Sequence, residues 1–181
     1  MKAVIVGSGR VGAALADYLD RAGWEVVIVD RSSSAFDRLP ATFGGSTVRG
    51  DGTDEDVLRR TGAEGADLFL ALTEGDNRNI MAAQLAVEAL DAKRTIAKVN
   101  DPVRAEAYGH LGIATLCRTN LMTDAVLSSL GLDIPVRPGV TEPTPHVHDE
   151  HGDTASGDPT RPAGVGAGAG PSTGPAVRAE G

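Results

Sequence analysis

The sequence predicts a Rossmann-like, doubly wound parallel α/β domain, and three observations carry that prediction. Short aliphatic runs alternate with longer stretches of helical period, a Gly-x-Gly-x-x-Gly motif joins the first run to the first helix, and an acid closes the second run. Strands that alternate with helices are expected to lie parallel, because a parallel neighbour is reached by a crossover and the helix supplies it.

The elements follow in order. Ala3 to Val6 is aliphatic and stops at Gly7, as a buried strand does. Val11 to Ala22 places Val11, Leu15, Tyr18, Leu19 and Ala22 on one helical face. Glu25 to Val29 is a second strand ending at Asp30, and Thr47-Val48 a short third. Asp54 to Arg60 reads as a helix capped by Thr53 or Asp54. Leu68 to Leu72 is the fourth strand. The long helix Asn79 to Leu90 aligns Ile80, Ala83, Val87 and Leu90, with Asp76 and Asn77 as its expected N-caps. Thr95 to Val99 and Ala114 to Leu116 complete the strands, and Val103 to Leu111 and Leu121 to Leu130 the helices.

Gly7-Ser8-Gly9-Arg10-Val11-Gly12 carries the clearest chemistry. Gly7 allows the tight turn, Gly9 lets a pyrophosphate approach the backbone, and Gly12 lets the helix pack against the strand. The phosphates would rest on unpaired N–H groups at the positive end of the helix dipole. Asp30 follows Gly7 at close to the spacing of the acid that binds ribose hydroxyls, and its charge disfavours the 2′-phosphate of NADP, an argument that Arg31 weakens. NAD or another adenine nucleotide is therefore expected. Two further loops end later strands, where ligands bind in an open α/β sheet. In Gly50-Asp51-Gly52-Thr53-Asp54, Asp51 is placed either to accept from an adenine amino group or to shape the turn. In the loop after Leu72, Thr73 either reaches ribose or phosphate or caps its own loop.

Composition narrows the remaining classes. The chain of 181 residues has a net charge of -8, which gives no electrostatic reason to bind nucleic acid or an anionic membrane surface. No apolar run approaches the roughly 20 residues that cross a bilayer, and Met1 to Gly7 leaves no room for a signal peptide, so a cytoplasmic location is expected. From Pro135 to Gly181 there is no Leu, Ile, Met, Phe, Tyr or Trp, so this segment cannot build a core. The expected organisation is a folded domain over 1–134 and a disordered Gly/Pro-rich tail over 135–181. The tail's His146, His148 and His151 are expected to be solvated rather than metal-bound. Cys117 reads as a buried strand-end thiol and His110 as a helix-end or surface residue. Neither suggests catalysis.

Taken together, these motifs resemble the TrkA-N, or RCK N-terminal, domain family that regulates potassium uptake systems and channels. The resemblance rests on Val4 to Gly12, Val29-Asp30, Arg49 to Asp54, Ala71-Leu72-Thr73 with Asp76 and Asn79, and Ala97 to Asp101, and it covers Met1 to about Leu130. It implies that Gly7, Gly9 and Gly12 cradle phosphate, Arg10 neutralises one, Asp30 holds ribose and Asp51 meets adenine. Lys98 stands where the family often has arginine and would meet phosphate as a point charge. The ligand implied is NAD or NADH, with ATP or ADP as the alternative. The partner implied is a membrane potassium transporter subunit, reached from the cytoplasmic side in a homo-oligomer or beside a longer paralogue. A dehydrogenase reduced to its cofactor domain, or an NAD(H) redox sensor, is the competing class. The stripe Leu121, Met122, Ala125, Val126, Ser129 and Leu130 is expected either to form an interface or to pack on the domain's own sheet.

Overall fold

A computed structural model describes residues 1–110 and 113–136, with the backbone alone at His110. The expected tail beyond Val136, with its three histidines, lies outside the described residues. So do Leu111 and Gly112.

Six strands form one parallel sheet: β1 Lys2–Val6, β2 Glu25–Asp30, β3 Ser46–Arg49, β4 Leu68–Ala71, β5 Thr95–Val99 and β6 Ala114–Cys117, in the order β3-β2-β1-β4-β5-β6. That is the Rossmann order, which reverses direction between β1 and β4. The register is continuous across the switch point, Ile5 lying opposite Ile28 on one side and Leu70 on the other. The helices are α1 Arg10–Arg21, α2 Glu55–Arg60, α3 Asp76–Glu88, α4 Pro102–His110 and α5 Arg118–Ser129, and a 3-10 helix spans Ser33–Arg38 between β2 and β3.

Strands β1, β2 and β4 are buried on both faces, so their apolar runs are nearly unbroken, and the pleat divides them by parity, whereas the edge strand β3 is largely exposed. Val4, Val6, Val27, Val29, Phe69 and Val99 pack with α2, α3 and α4 through Leu58, Ile80, Ala83, Ala86 and Ala105, and with Leu90 after α3. Ile5, Ile28 and Leu70 pack against Ala16, Leu15 and Leu19 of α1 and Phe36 of the 3-10 helix. Among the described residues the buried apolar core is aliphatic but for Phe69 and Cys117, and Phe69 is its largest fully buried side chain.

Two boundaries differ from the sequence expectation, each for a local reason. Asp76 and Asn77 do not cap α3. The cap position is Gly75, without a side-chain bond, and both side chains of the expected cap are used elsewhere, as described below. Asp54 does cap α2, accepting from the N–H groups of Asp56 and Val57. Helix α5 starts at Arg118, three residues earlier than its apolar stripe, because β6 passes straight into it with Cys117 as the cap residue. No residue of α5 is buried, and Leu121, Met122, Val126 and Leu130 are each half or more exposed, so the stripe does not pack on the domain's own sheet.

Candidate functional site

At the C-terminal ends of β1 to β4 the sheet opens into a cleft of about 420 Å³. The glycine loop forms its floor. Gly7 has φ +107, and a Cβ there would come within 2.9 Å of the Thr73 nitrogen, so the turn requires glycine. Gly12 lies behind the cleft, where any Cβ would overlap the Gly7 carbonyl oxygen; this glycine lets α1 start directly against β1. Gly9 is different, since a Cβ there would meet nothing within 4 Å and the space above it opens into the cleft. Helix α1 begins at Arg10 with Gly9 as its cap residue, no side-chain cap bond and no acid in its first turn. Its leading N–H groups are thus without a side-chain acceptor, which suits an incoming phosphate.

Asp30 ends β2 and braces this loop. Its Oδ2 accepts from the Ser8 N–H at 2.8 Å and its Oδ1 from the Ser32 N–H at 2.9 Å. Each oxygen keeps a lone pair for a further donor. Ser8 is fully buried and its hydroxyl donates to the Ala35 carbonyl at 3.0 Å, joining the glycine loop to the 3-10 helix.

Across the cleft, Asp51 Oδ1 accepts from both the N–H and the hydroxyl of Thr53, at 3.1 and 2.9 Å, while Oδ2 faces Arg31 Nε at 3.6 Å. The hydrogen bonds from Thr53, assisted by Arg31, hold its carboxyl below the usual carboxylate range. Asp51 thus shapes its turn and retains one free acceptor position toward the cleft. Gly52 is buried beneath it, against Val6.

The fourth wall is the loop after β4. Asn79, fully buried, accepts at Oδ1 from the Thr73 N–H at 2.8 Å and hydroxyl at 2.6 Å, and donates from Nδ2 to the carbonyls of Thr73 and Lys98 at 3.0 and 2.8 Å. Thr73 lines the cleft with its hydroxyl proton already given to Asn79, so it can offer a ligand only its oxygen lone pair. Lys98 is largely buried and does not line the cleft; its ammonium lies 3.7 Å from Glu74 Oε1, which does. Val11, on the exposed side of α1, is not a lining residue either.

Asp76 explains why it is no cap. Its Oδ1 accepts from the Asn100 N–H and side-chain amide at 2.9 and 2.8 Å, and its Oδ2 from the Asp101 N–H at 3.2 Å, while Asn77 accepts from Arg104. Burial opposes ionisation of Asp76, but these donors and Arg104 outweigh it and leave its carboxyl lowered from the ordinary 3.8. A lowered folded-state pKa gives stability that is present above 3.8 and lost as pH falls through the folded value. The gap in melting temperature between wild type and Asp76→Asn should therefore narrow in thermal scans run progressively below pH 3.8.

Arg38 and Arg78 line the cleft with Arg10 and Arg31, against Asp30, Asp51 and Glu74. The lining thus carries four guanidinium groups against three carboxylates, in a chain of net charge -8. Arg38 lies outside every motif, and Arg78 stands in the loop motif after β4 without a role that the sequence shows; the 3-10 helix and the start of α3 bring them to the opening.

The model of the TrkA-N domain matches residues 3–119. The chain belongs to the TrkA-N domain family. The Trk system potassium uptake protein TrkA of Streptomyces coelicolor is 44% identical over 130 residues, covering 72% of this chain and 58% of that protein. The GsuK RCK domain is 26% identical with a TM-score of 0.53, over 63% of this chain and 24% of that one. The TrkA-N domain of the inner membrane protein ybaL from Escherichia coli shares the fold, with a TM-score of 0.64 at 19% identity, over 71% of this chain and 96% of that one. The TrkA-N match thus spans β1 to the first residues of α5, including every wall of the cleft. Among the described residues no helix is long and apolar enough to cross a membrane, and no cluster of His, Cys, Asp or Glu is arranged to hold a metal ion.

Proposed function

We propose that this chain is a nucleotide-binding regulatory subunit of a potassium transport system, holding NAD or NADH in the cleft and passing its identity to an assembly at the cytoplasmic face of a membrane transporter. The observation that carries the reading is the convergence on one cleft of an uncapped helix start above open space at Gly9, the ribose-type acid Asp30 and a set of arginines. Gly7, Ser8, Gly9, Arg10, Val11 and Gly12 form or support the diphosphate cradle. Asp30 and Arg31 serve the adenosine ribose, Asp51 and Gly52 the base, and Thr73 the distal half, with Lys98 behind that wall beside Glu74. The relatives' name, a potassium uptake protein, supports the transport role. The unburied stripe on α5 supports assembly, as a homo-oligomer or with a longer paralogue. A ligand's identity becomes a change of shape only where a partner distinguishes two states. The folded unit is taken to end near Ile134.

ATP or ADP is the second reading, whose phosphates the four arginines around the cleft would also serve. A dehydrogenase is less well supported. Among the described residues the cleft is lined by no His, Lys, Tyr or Cys, and a hydride-transfer site usually places an acid/base beside the reacting oxygen.

A thermal-shift panel of NAD, NADH, NADP, ADP and ATP tests the reading, since a ligand at 100 times its dissociation constant adds about 2.7 kcal/mol. Asp30→Ala should weaken the preferred nucleotide by about 1–3 kcal/mol, through lost ribose contacts and through release of the Ser8 N–H. Tighter binding of NADP than NAD would refute the role given to Asp30. Potassium uptake in cells lacking the protein, set beside NADH oxidation with 2-oxo acids, separates the regulator from the enzyme. Turnover with unchanged uptake would overturn the regulatory role.

A further inference from the structure

Asn100, the residue after β5, stands where three elements meet. Its main-chain and side-chain N–H groups both donate to Asp76 at the start of α3, and its Nδ2 lies 3.5 Å from the carbonyl of Glu74 in the cleft wall. Its own carbonyl accepts from the Thr119 hydroxyl at 2.7 Å and faces the Cys117 thiol at 3.7 Å, at the junction of β6 and α5. Asn100 Oδ1, by contrast, is buried and accepts no hydrogen bond.

We propose that Asp76 is a positioning residue that couples occupancy of the nucleotide cleft to the placement of helix α5, acting through Asn100. The proposal rests on the nucleotide reading of the cleft. Glu74 lines the cleft two residues before Asp76, so a ligand that shifts this wall shifts the carboxylate as well. That carboxylate holds three N–H groups of the next loop, and the two loops therefore move together or the clasp opens. Since no residue of α5 is buried, core packing does not fix the direction of that helix, and polar tethers such as the Thr119 hydroxyl weigh more in placing it. The orphaned Asn100 Oδ1 supplies the reason for a second arrangement. A buried acceptor without a donor is unfavourable, and a small rotation of the loop that finds it one is the kind of bistable change that coupling requires.

Hydrogen exchange on the full chain, with ADP and NAD as probes, tests this. In the wild type, nucleotide should slow exchange in the glycine loop and in 72–76, and change exchange across 118–130 on the order of tenfold, a usual size for coupling between sites. Thr119→Val removes one exposed hydroxyl and leaves the cleft untouched. It should keep the cleft protection, the melting temperature and an affinity within about twofold, yet lose the response of 118–130. Asp76→Ala should also lose that response while the cleft still binds. A response retained in both variants overturns the coupling, as does a wild-type α5 that ignores a nucleotide protecting the cleft. No protection of the cleft by either probe would instead overturn the nucleotide reading, and the coupling with it.

Discussion

Gly9→Val is expected to fold with an unchanged melting temperature and to bind no nucleotide, while Gly12→Val loses about 3 kcal/mol of stability and binding together. The two glycines belong to one motif, but their surroundings differ. At Gly9 a side chain enters open space above the helix start, so the unliganded fold has nothing to collide with. The space filled is that through which a phosphate reaches the first N–H groups of α1. At Gly12 a Cβ overlaps the Gly7 carbonyl, a backbone atom that cannot rotate aside, and relief requires α1 to move off β1. That movement would disturb the packing of Ala16 on Ile5 and Ile28 and the turn at Gly7. Thermal melts of the free proteins and the same melts with NAD or ADP separate the two effects. A Gly9→Val protein that binds like the wild type would place the phosphate site elsewhere.

This difference shows what was legible beforehand. The motif gave the location of the turn and the closeness of helix and strand, because both follow from three glycines between an aliphatic run and an amphipathic one. Asp30 was legible for the same reason, as a strand-end acid at a fixed distance. Its bond to Ser8, which stiffens the loop before any ligand arrives, was not, since it joins the loop after β1 to the end of β2, and only the sheet order makes them neighbours. The local rule points to Asp76 as a cap, because a polar residue before a helical run satisfies it, yet Gly75 holds that position. Its donors lie 24 and 25 residues further on, where no local pattern reaches. Arg38 and Arg78 were illegible for the complementary reason. An arginine in an acidic chain is usually solvated, and only the cleft gives these two a common target.

Asn79 was seen only as one residue of a family pattern, and it carries the second large effect. Asn79→Leu keeps the approximate volume and should cost about 4 kcal/mol, because the substitution strands several partners at once. The Thr73 N–H and hydroxyl lose their acceptor, and the carbonyls of Thr73 and Lys98 lose their donor, in a site from which the Asn79 side chain excludes water. A removed partner costs more than a pair that was never made. Asn79→Asp separates the hydrogen bonds from the packing. Its carboxylate still accepts from Thr73, but the atom replacing Nδ2 now directs negative charge at two carbonyl oxygens. The protonated acid can donate to one of them, so the folded state should raise this carboxyl above the ordinary value of about 3.9. A raised carboxyl pKa makes the variant's penalty complete above the folded value and smaller as pH falls toward about 4. The difference between wild-type and Asn79→Asp melting temperatures should therefore shrink on acidification, and that for Asn79→Leu should not. If both differences stay constant with pH, the amide does not bind Thr73 and Lys98 as described. If neither variant loses stability, the clamp contributes nothing to the cleft wall.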